Sequence, residues 1–206
     1  MDPRIDAIID FWFGGSPEDP RVIESRSSTW FRADPSFDEE IRARFGADHE
    51  AASRGERDPW RATARGSLAL ILVFDQFSRN LHRGKPRAFT QDGRAQAVCL
   101  DGLDRGCDRA LPTLPRAFFY LPLHHAEDSV LQDRCVEEFR RLLAETPPAF
   151  AEIIGAFSDY ARGHQDVVRR FGRFPHRNEI LGRESTADER AYLLAGAPSY
   201  GQAIAR

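Results

Sequence analysis

Two long amphipathic segments separated by a pair of prolines constrain the fold of this chain more than any other feature. Apolar residues recur at helical spacing in the first segment, from about His124 to Ala144, and in the second, from about Ala149 to Phe171. Pro147-Pro148 cannot continue the first helix, and so short a link obliges the second helix to turn back. The sequence therefore predicts an antiparallel helical hairpin in which residues 125 and 169 face each other, about 33 Å from the turn.

Helix start signals recur in the rest of the chain. Asp2-Pro3 and Asp34-Pro35 each combine an N-cap aspartate with a proline suited to the first helical position. Thr186-x-x-Glu189 has the form of a capping box, and Gly14-Gly15 is a stop signal for the first helix. The alternation of apolar and polar residues that is typical of strands is almost absent. We therefore predict an all-α protein.

The size and composition of the chain narrow the class of protein. Its 206 residues suit one domain, predicted over residues 1–206, and 41% hydrophobic with 30% charged residues excludes a disordered chain. No apolar run approaches the ~20 residues that span a bilayer, and the formal net charge of -3 gives no indication of nucleic-acid binding. We therefore expect no membrane partner and no nucleic-acid partner.

Two further features indicate the compartment. The N-terminus lacks a basic segment followed by an apolar one, so no signal peptide is expected. The cysteines Cys99, Cys107 and Cys135 are odd in number and lack metal-ligand spacing. These features predict a cytoplasmic protein without a disulfide framework.

A central apolar helix with a charged end is predicted between Ser67 and Arg83. It begins apolar on all sides and then places Asp75, Arg79, His82 and Arg83 on one stripe, at i, i+4, i+7 and i+8. One interpretation is an ion pair between Asp75 and Arg79 that orders the end of the helix. The other is a charged stripe at the mouth of a cleft.

Imidazole and carboxyl groups cluster at His124, His125, Glu127 and Asp128, which we predict to lie in the first turns of the helix that begins near His124. His124 with Glu127 or Asp128 has the spacing of a metal-ligand pair. Carboxylate-bridged metal bundles need matching pairs on further helices, and no second His-x-x-Glu or Glu-x-x-His is present, so we predict no metal. A His–carboxylate pair that tunes a general base and an acidic helix N-terminus are the two interpretations.

The second helix of the hairpin carries a histidine and ends in a basic turn. His164 lies on the apolar stripe, where a histidine is commonly a core residue, but its predicted neighbours are polar. The turn, from Arg169 to Asn178, contains five arginine and histidine side chains around Gly172 and Pro175. Basic residues stabilise a helix C-terminus, and arginine side chains also bind carboxylate or phosphate groups in bidentate fashion.

The chain resembles the bacterial domain of unknown function 924 family over nearly its whole length. Three blocks carry the resemblance: Phe74-Asp75-Gln76-Phe77-Ser78-Arg79-Asn80, Leu121-Pro122-Leu123-His124-His125-Ala126-Glu127-Asp128, and the stretch from His164 to Asn178 with Phe-Gly-Arg-Phe-Pro-His-Arg-Asn at its end. Ser78 stands where the family usually has proline, and His125 where it often has serine. The resemblance implies a single all-helical domain of antiparallel hairpins, tetratricopeptide-like, with no established activity.

We predict that the three blocks converge on a cleft that binds a small anionic ligand, with hydrolase- or transferase-type chemistry. The predicted ligand-binding residues are Asp75, Arg79, Arg83, Arg173, His176, Arg177 and Asn178, and the predicted catalytic residues are His124, His164, Glu127 and Asp128. No cofactor is identified. Two alternatives stay open. One is a tetratricopeptide-like scaffold that binds a peptide or protein partner through exposed aromatics such as Trp30, Phe31 or Trp60; the other is a purely structural network of buried ion pairs.

Overall fold

The computed structural model describes residues 2–196, apart from the side chain of Glu24. Within this range the chain is helical and contains no β-strand, which confirms the predicted all-α class. The α-helices of this range are α1 (Pro3–Phe13), α2 (Arg21–Phe31), α3 (Pro35–Ser53), α4 (Ala64–Ile71), α5 (Ser78–Leu81), α6 (Asp92–Asp104), α7 (Thr113–His124), α8 (Ser129–Glu145), α9 (Ala151–Phe171) and α10 (Ala187–Leu194). Short 3₁₀ turns cover Asp58–Ala62, Pro86–Phe89, Asp108–Ala110, Pro148–Phe150 and Pro175–Arg177.

The described range ends at residue 196. Residues 197–206 lie outside it, so a single domain over residues 1–206 stays a prediction. Among residues 2–196, no helix combines the length and the apolar character needed to cross a lipid bilayer.

The predicted helix caps are present. The carboxylate of Asp2 accepts the Arg4 N–H at 2.9 Å at the start of α1, and Asp34 accepts the Ser36 N–H at 2.9 Å at the start of α3. Both capping side chains satisfy donors that have no partner inside the helix. Gly14 ends α1 in the left-handed conformation, with φ 70°, which glycine adopts without steric cost. Thr186 forms the predicted capping box at the start of α10.

A π-helical segment, Leu72–Phe77, joins α4 to α5. All of its side chains are buried, and it packs against α3, α6 and α7, as expected of a predicted central helix. A π-helical turn is wider than an α-helical turn, so the side chains that follow it depart from a 3.6-residue stripe. π-Helical turns are also frequent at functional sites.

The π-helical turn changes where the charged side chains after it point. Arg79 stays beside Asp75, with Nη1 3.0 Å from Oδ1. Arg83 pairs with an aspartate near the start of α3, whereas His82 faces His49 near the end of the same helix. The prediction of one continuous stripe is therefore wrong for His82.

The segment between His124 and Ser129 is a linker, which corrects the predicted helix start near His124. α7 ends at His124 and α8 begins at Ser129. Asp128 is the N-cap of α8: its backbone is extended, with φ -144°, and its carboxylate accepts the Leu131 N–H at 2.9 Å. Because an N-cap residue adopts non-helical dihedral angles, Asp128 interrupts the helix that apolar spacing alone predicted.

The amide of Gln132 holds this linker against the end of α7. Its Nε2 lies 3.2 Å from the Leu123 carbonyl, 2.9 Å from that of His124 and 2.8 Å from that of Ala126. Carbonyls at a helix C-terminus have no partner within the helix, so a buried amide that reaches them stabilises the end of α7. The linker is therefore a fixed part of the fold.

α8 and α9 form the predicted antiparallel hairpin around Pro147. The residues that face each other across the hairpin differ from those predicted by counting equal numbers of residues from Pro147, which paired residue 125 with residue 169. Arg169 pairs with Asp133 at 2.9 Å, and the ring of His164 lies against that of His124, with centroids 4.0 Å apart. The count assumed a helix that continues through residue 125, and the linker removes that continuity.

A column of aromatic rings connects the N-terminal helices to the hairpin. Phe118 of α7 contacts Trp12 and Phe13 of α1, and it also contacts Trp30 of α2 and Phe157 of α9. Edge-to-face ring pairs of this kind add to the free energy gained by burying apolar area. The column brings α2, α7 and α9 together around one space.

Candidate functional site

A cavity of about 330 Å³ lies among the end of α2, the π-helical segment with α5, the end of α7, and α9. Its apolar lining residues are Trp30, Phe31, Phe118, Leu121, Phe157 and Tyr160, and its polar lining residues are Arg32, Gln76, Arg79, Asn80, Arg83, His124, His125 and His164. Four residues predicted from the sequence (Arg79, Arg83, His124 and His164) thus line one space. The volume and the mixed lining are typical of small-molecule sites.

Asp75 is fully buried behind the polar lining, where three polar groups contact its carboxyl. Nδ1 of His125 lies 2.7 Å from its Oδ1, and the Gln76 amide donates to Oδ2 at 2.5 Å. Nη1 of Arg79 lies 3.0 Å from Oδ1 as an ion pair. Burial raises the pKa of the Asp75 carboxyl, whereas Arg79 and the Gln76 amide oppose the rise. The adjacent guanidinium and the amide donor both favour the ionised form of Asp75.

The contact with Asp75 determines which ring nitrogen of His125 carries the proton. A carboxylate only accepts hydrogen bonds, so Nδ1 of His125 carries the proton and Nε2 keeps its lone pair. Burial and the Arg79 guanidinium lower the pKa of His125 well below its usual value, so the ring is neutral at pH 7. A partly exposed neutral imidazole that a carboxylate orients is the arrangement of a general base.

Arg79 links the π-helical segment to the start of α6. Its Nη1 and Nη2 donate to the two carboxylate oxygens of Asp92, at 3.0 and 3.2 Å, and Nη1 also donates to the Asp75 carbonyl at 2.9 Å. The guanidinium carbon lies 5.8 Å from the ring centroid of Phe89. Bidentate pairing with a carboxylate restricts the orientation of the guanidinium. Arg79 therefore presents a fixed positive charge to the cavity.

Arg83 is held in a similar way by α3. Its Nε and Nη2 donate to the carboxylate of Asp38, each at 2.9 Å, and the Asn80 amide donates to the same carboxylate at 2.7 Å. Asp38 itself does not line the cavity, whereas Arg83 and Asn80 do. The carboxylate thus lies behind two donors of the lining.

The rings of His124, His125 and His164 form a neutral cluster. The rings of His124 and His125 are nearly parallel, at 6° with centroids 5.6 Å apart. Nδ1 of His164 lies 2.8 Å from the Tyr160 carbonyl, which identifies Nδ1 as the donor. Burial lowers the pKa of His124 to about 4, against the opposing effects of the Tyr160 carbonyl and Asp75, and burial with the two neighbouring imidazoles lowers that of His164.

Arg177 ties the basic turn to the other two blocks. Its Nη1 donates to Asp92 at 3.3 Å and its Nη2 donates to the His125 carbonyl at 3.1 Å. Its guanidinium lies between the rings of Phe89 and Phe174, 4.7 Å from each centroid. Burial lowers the pKa of Arg177 to about 10, with Arg79 acting in the same direction. Arg177 does not line the cavity and instead holds the backbone of His125 in place.

The two predicted catalytic carboxylates lie outside the cavity. Glu127 accepts the Phe174 N–H at 2.8 Å and both terminal nitrogens of Arg183, at 2.6 and 2.9 Å. Asp128 is the N-cap of α8. Neither carboxylate orients an imidazole, and both hold local backbone structure.

Three predicted ligand-binding residues also lie outside the cavity. Arg173 forms a bidentate pair with Glu189, at 2.7 and 2.9 Å, and Asn178 donates to the Ser185 hydroxyl at 3.0 Å. The ring of His176 packs near that of Phe174, and burial with the charge of Arg177 lowers its pKa to about 3. These contacts attach the segment after α9 to α10 and to the linker.

Sequence reasoning missed His125 as the partner of Asp75, and it missed Gln76, Asn80, Phe157 and Tyr160 as lining residues. His125 was visible only as one member of a histidine pair, and nothing in the sequence decides which of two adjacent histidines faces a residue fifty positions away. Phe157 and Tyr160 lie on a face of α9 whose sequence pattern is equally typical of core and of surface residues. Only the packing of α9 against α7 brings them to a cavity.

The three cavity imidazoles do not bring their nitrogens together as a set of metal ligands. Among the described residues, the group whose ligand atoms all lie within 4.8 Å of one another is His49, Glu50 and His82, which lies away from the cavity.

Comparisons with known proteins identify relatives without an established activity. The family model described as bacterial protein of unknown function (DUF924) matches residues 8–197. The solved structure of a protein of unknown function, ATU0120 from Agrobacterium tumefaciens, is similar to this chain with a TM-score of 0.79 and 38% sequence identity, over 94% of this chain and 98% of that one. No curated protein matches. The chain belongs to the DUF924 family of bacterial proteins of unknown function.

Proposed function

We propose that the cavity binds a small molecule that combines an anionic group with an apolar portion, and that His125 and Asp75 promote its hydrolysis or its transfer to an acceptor hydroxyl. The composition of the cavity lining supports this proposal. Among the described residues, the lining contains the guanidinium groups of Arg79 and Arg83 and no carboxylate, and six apolar side chains supply much of its surface. Arginine forks suit carboxylate and phosphate groups, and aromatic rings suit an apolar body.

The local balance of charge supports an anionic ligand. The charged groups that line the cavity or lie directly behind its lining are Arg32, Arg79, Arg83 and Arg177, against Asp38, Asp75 and Asp92. The neighbouring imidazoles are neutral at pH 7 because burial lowers the pKa of each. Three guanidinium groups on the described lining, with the carboxylates behind them, favour a ligand that carries a negative charge.

The Asp75–His125 pair supports general-base chemistry. Nε2 of His125 would take a proton from water, whose oxygen attacks the carbonyl or phosphoryl centre of the bound ester. The imidazolium that forms is stabilised by Asp75, and it returns the proton to the departing oxygen. Arg79 and Arg83 would stabilise the negative charge of the transition state. None of the lining residues between 2 and 196 is a serine, threonine or cysteine, and an activated water or an acceptor hydroxyl is therefore the nucleophile of the proposed step.

A scaffold that binds a peptide or protein is the second candidate. Phe31 is 50% exposed and Tyr160 56% exposed, and both line the cavity. An apolar side chain of a partner would contact these rings. Trp60, in contrast, is buried and lines a different surface near Asp2. We favour the small ligand because Phe31 and Tyr160 border a concave space that already contains fixed polar groups.

Thermal denaturation in the presence of benzoate, phenyl phosphate, acetate and inorganic phosphate tests the binding proposal. We expect the two aromatic anions to raise the Tm more than the two small ions, because only they reach the apolar lining. A ligand at 100 times its Kd stabilises the folded state by about 2.7 kcal/mol. Arg83→Met should abolish the shift. Arg65→Met is the matched control, since Arg65 also pairs with an aspartate, Asp6, but lies outside the cavity.

Hydrolysis of p-nitrophenyl acetate and p-nitrophenyl phosphate tests the chemistry. We expect His125→Gln to lower the rate by about 100-fold or more, the usual contribution of a general base, without a change in the Tm shift that phenyl phosphate causes. Equal shifts by all four anions, or shifts that Arg83→Met leaves intact, would show that this cavity is not the anion site. A rate unaffected by His125→Gln would exclude the dyad as the base.

A further inference from the structure

A second cluster of potential ligand side chains lies where the last turns of α3 meet the end of α5. His49 and Glu50 are consecutive residues of α3, and His82 is the C-cap of α5. One possible ligand atom from each residue lies within 4.8 Å of the other two. The rings of His49 and His82 have centroids 5.5 Å apart. None of the three residues lines the cavity described above.

Ser78 supplies a hydrogen-bond partner for one nitrogen of His49. Nε2 of His49 lies 2.8 Å from the Ser78 hydroxyl oxygen, which can accept a hydrogen bond from Nε2 because a hydroxyl has two lone pairs. With the proton on Nε2, Nδ1 of His49 keeps its lone pair for a ligand. A histidine that binds a metal typically donates its other ring N–H to such a partner.

Two buried nitrogens of the cluster have no hydrogen-bond partner among the described groups. These are Nδ1 of His49, whose side chain is 2% exposed, and Nε2 of His82. The nearest carboxylate oxygen to Nδ1 of His49 is Oε1 of Glu50, at 3.9 Å, beyond hydrogen-bonding distance. Leaving a buried polar atom unpaired costs about 1–3 kcal/mol. Two such atoms beside a carboxylate form a donor set that suits a metal ion.

Glu50 completes the donor set from the surface side. Its side chain is 48% exposed and forms an ion pair with Arg87. Arg87 donates to Oε1, which is also the oxygen nearest to Nδ1 of His49, so a bound ion would take Oε2 or share Oε1 with Arg87 as an outer-shell partner. Burial lowers the pKa of both imidazoles, that of His82 to about 4, so both rings are neutral and able to coordinate at pH 7.

We propose that His49 Nδ1, His82 Nε2 and a Glu50 carboxylate oxygen form a site for a divalent transition metal of the Zn²⁺, Co²⁺ and Ni²⁺ class. Two imidazoles and one carboxylate suit these ions better than Mg²⁺ or Ca²⁺, which prefer oxygen ligands. Tetrahedral ligands at Zn²⁺ distances are about 3.3 Å apart, so the three side chains need to close by at most about 1.5 Å. Three protein ligands leave a fourth position for water.

The proposed site would join α3 to the segment that follows the π-helical turn. Ser78, the hydrogen-bond partner of His49, follows the π-helical segment, which contains Asp75. A bound ion would therefore stabilise the packing of the helix that carries the catalytic carboxylate without contacting the cavity. Its occupancy is expected to raise the Tm of the protein whether or not the cavity binds an anion.

Titration of the tag-free, chelator-treated protein with Co²⁺ tests the proposal directly, because nitrogen-ligated Co²⁺ in a four-coordinate site has visible absorption bands. We expect one equivalent to bind and Zn²⁺ to displace it, as followed by calorimetry. Loss of an outer-shell partner already costs 10- to 100-fold in metal affinity, so His82→Gln should lower the affinity by at least about tenfold. Glu50→Gln should weaken binding as well.

Glu56→Gln is the matched control, because Glu56 is also an exposed carboxylate paired with an arginine, Arg54, and is expected to leave the affinity unchanged. If His82→Gln fails to fold, Glu50→Gln provides the decisive comparison, since the Glu50 side chain is half exposed. The proposal is overturned if the wild-type protein binds no Co²⁺. It is equally overturned if binding persists in the His82 and Glu50 variants or is abolished by His125→Gln instead.

Discussion

Nδ1 of His125 lies 2.7 Å from Oδ1 of Asp75, although fifty residues separate the two in the sequence. Asp75 comes from the π-helical segment and His125 from the linker after α7, and Arg177 holds the linker by its donation to the His125 carbonyl. Three remote parts of the chain thus fix one imidazole. A network of this kind costs free energy when any member is removed, because the others remain buried.

The contact between Asp75 and His125 predicts the tautomer of the His125 ring. In the wild-type protein, two-dimensional ¹H–¹⁵N spectra of the histidine rings should show His125 protonated at Nδ1 at pH 7. Asp75→Asn should remove this preference, because an amide offers a weaker acceptor than a carboxylate. The ring of His164, whose Nδ1 donates to the Tyr160 carbonyl, should keep its tautomer in both proteins. An Nε2-protonated His125 in the wild type would contradict the proposed base.

The buried histidines predict a loss of stability in mild acid. The pKa of His124 is lowered to about 4 from an ordinary value of 6.5, so the unfolded chain binds more protons than the folded protein between these values. The free energy of unfolding should therefore fall as the pH drops from about 6.5 to about 4. Each such group contributes at most about 1.4 kcal/mol per pH unit.

Urea denaturation at several pH values between 7 and 4 measures this effect. His124→Gln should flatten the pH dependence, because the substituted residue does not titrate. The histidines with lowered pKa values elsewhere, such as His176, should retain their share in this variant. Equal slopes for the wild type and His124→Gln would show that His124 accepts a proton in the folded state.

Arg177→Met should destabilise the protein by about 3 kcal/mol. The variant leaves Asp92 without one of its two guanidinium partners and the His125 carbonyl without its donor, and removing one partner of a buried ion pair typically costs 3–5 kcal/mol. Chemical denaturation measures the change. Arg21→Met is the control, because the 86% exposed Arg21 side chain pairs with Asp19 at the surface and should change stability by less than about 1 kcal/mol. Similar losses in both variants would contradict the anchoring role of Arg177.

Gly66 in α4 should tolerate no side chain. A Cβ at this position would lie 2.0 Å from the Trp60 carbonyl oxygen, and backbone cannot yield as a flexible side chain does. Gly66→Ala should therefore lower the Tm markedly. Gly155→Ala in α9 meets no atom within 4 Å and should raise stability by up to about 1 kcal/mol, because alanine is the better helix former. A stable Gly66→Ala protein would contradict the close packing of α4 on the turn at Trp60.

The helical class and several helix ends follow from local chemistry. The caps at Asp2, Asp34 and Thr186 act within three residues of themselves, so the sequence predicts them without any distant contact. Asp128 is also an N-cap, but the apolar spacing around it continues without a break, so periodicity predicts a helix that the structure interrupts there.

By itself the sequence determined that the chain is helical and that α8 and α9 pair as a hairpin, and it distinguished three polar blocks. Tertiary structure decided which members of those blocks meet: His125 contacts Asp75, whereas Glu127 and Arg173 hold backbone and helix ends elsewhere. The physical reason is that caps and periodicity are interactions between near neighbours in sequence. The direction of a side chain across a π-helical turn or a linker depends on packing against distant helices.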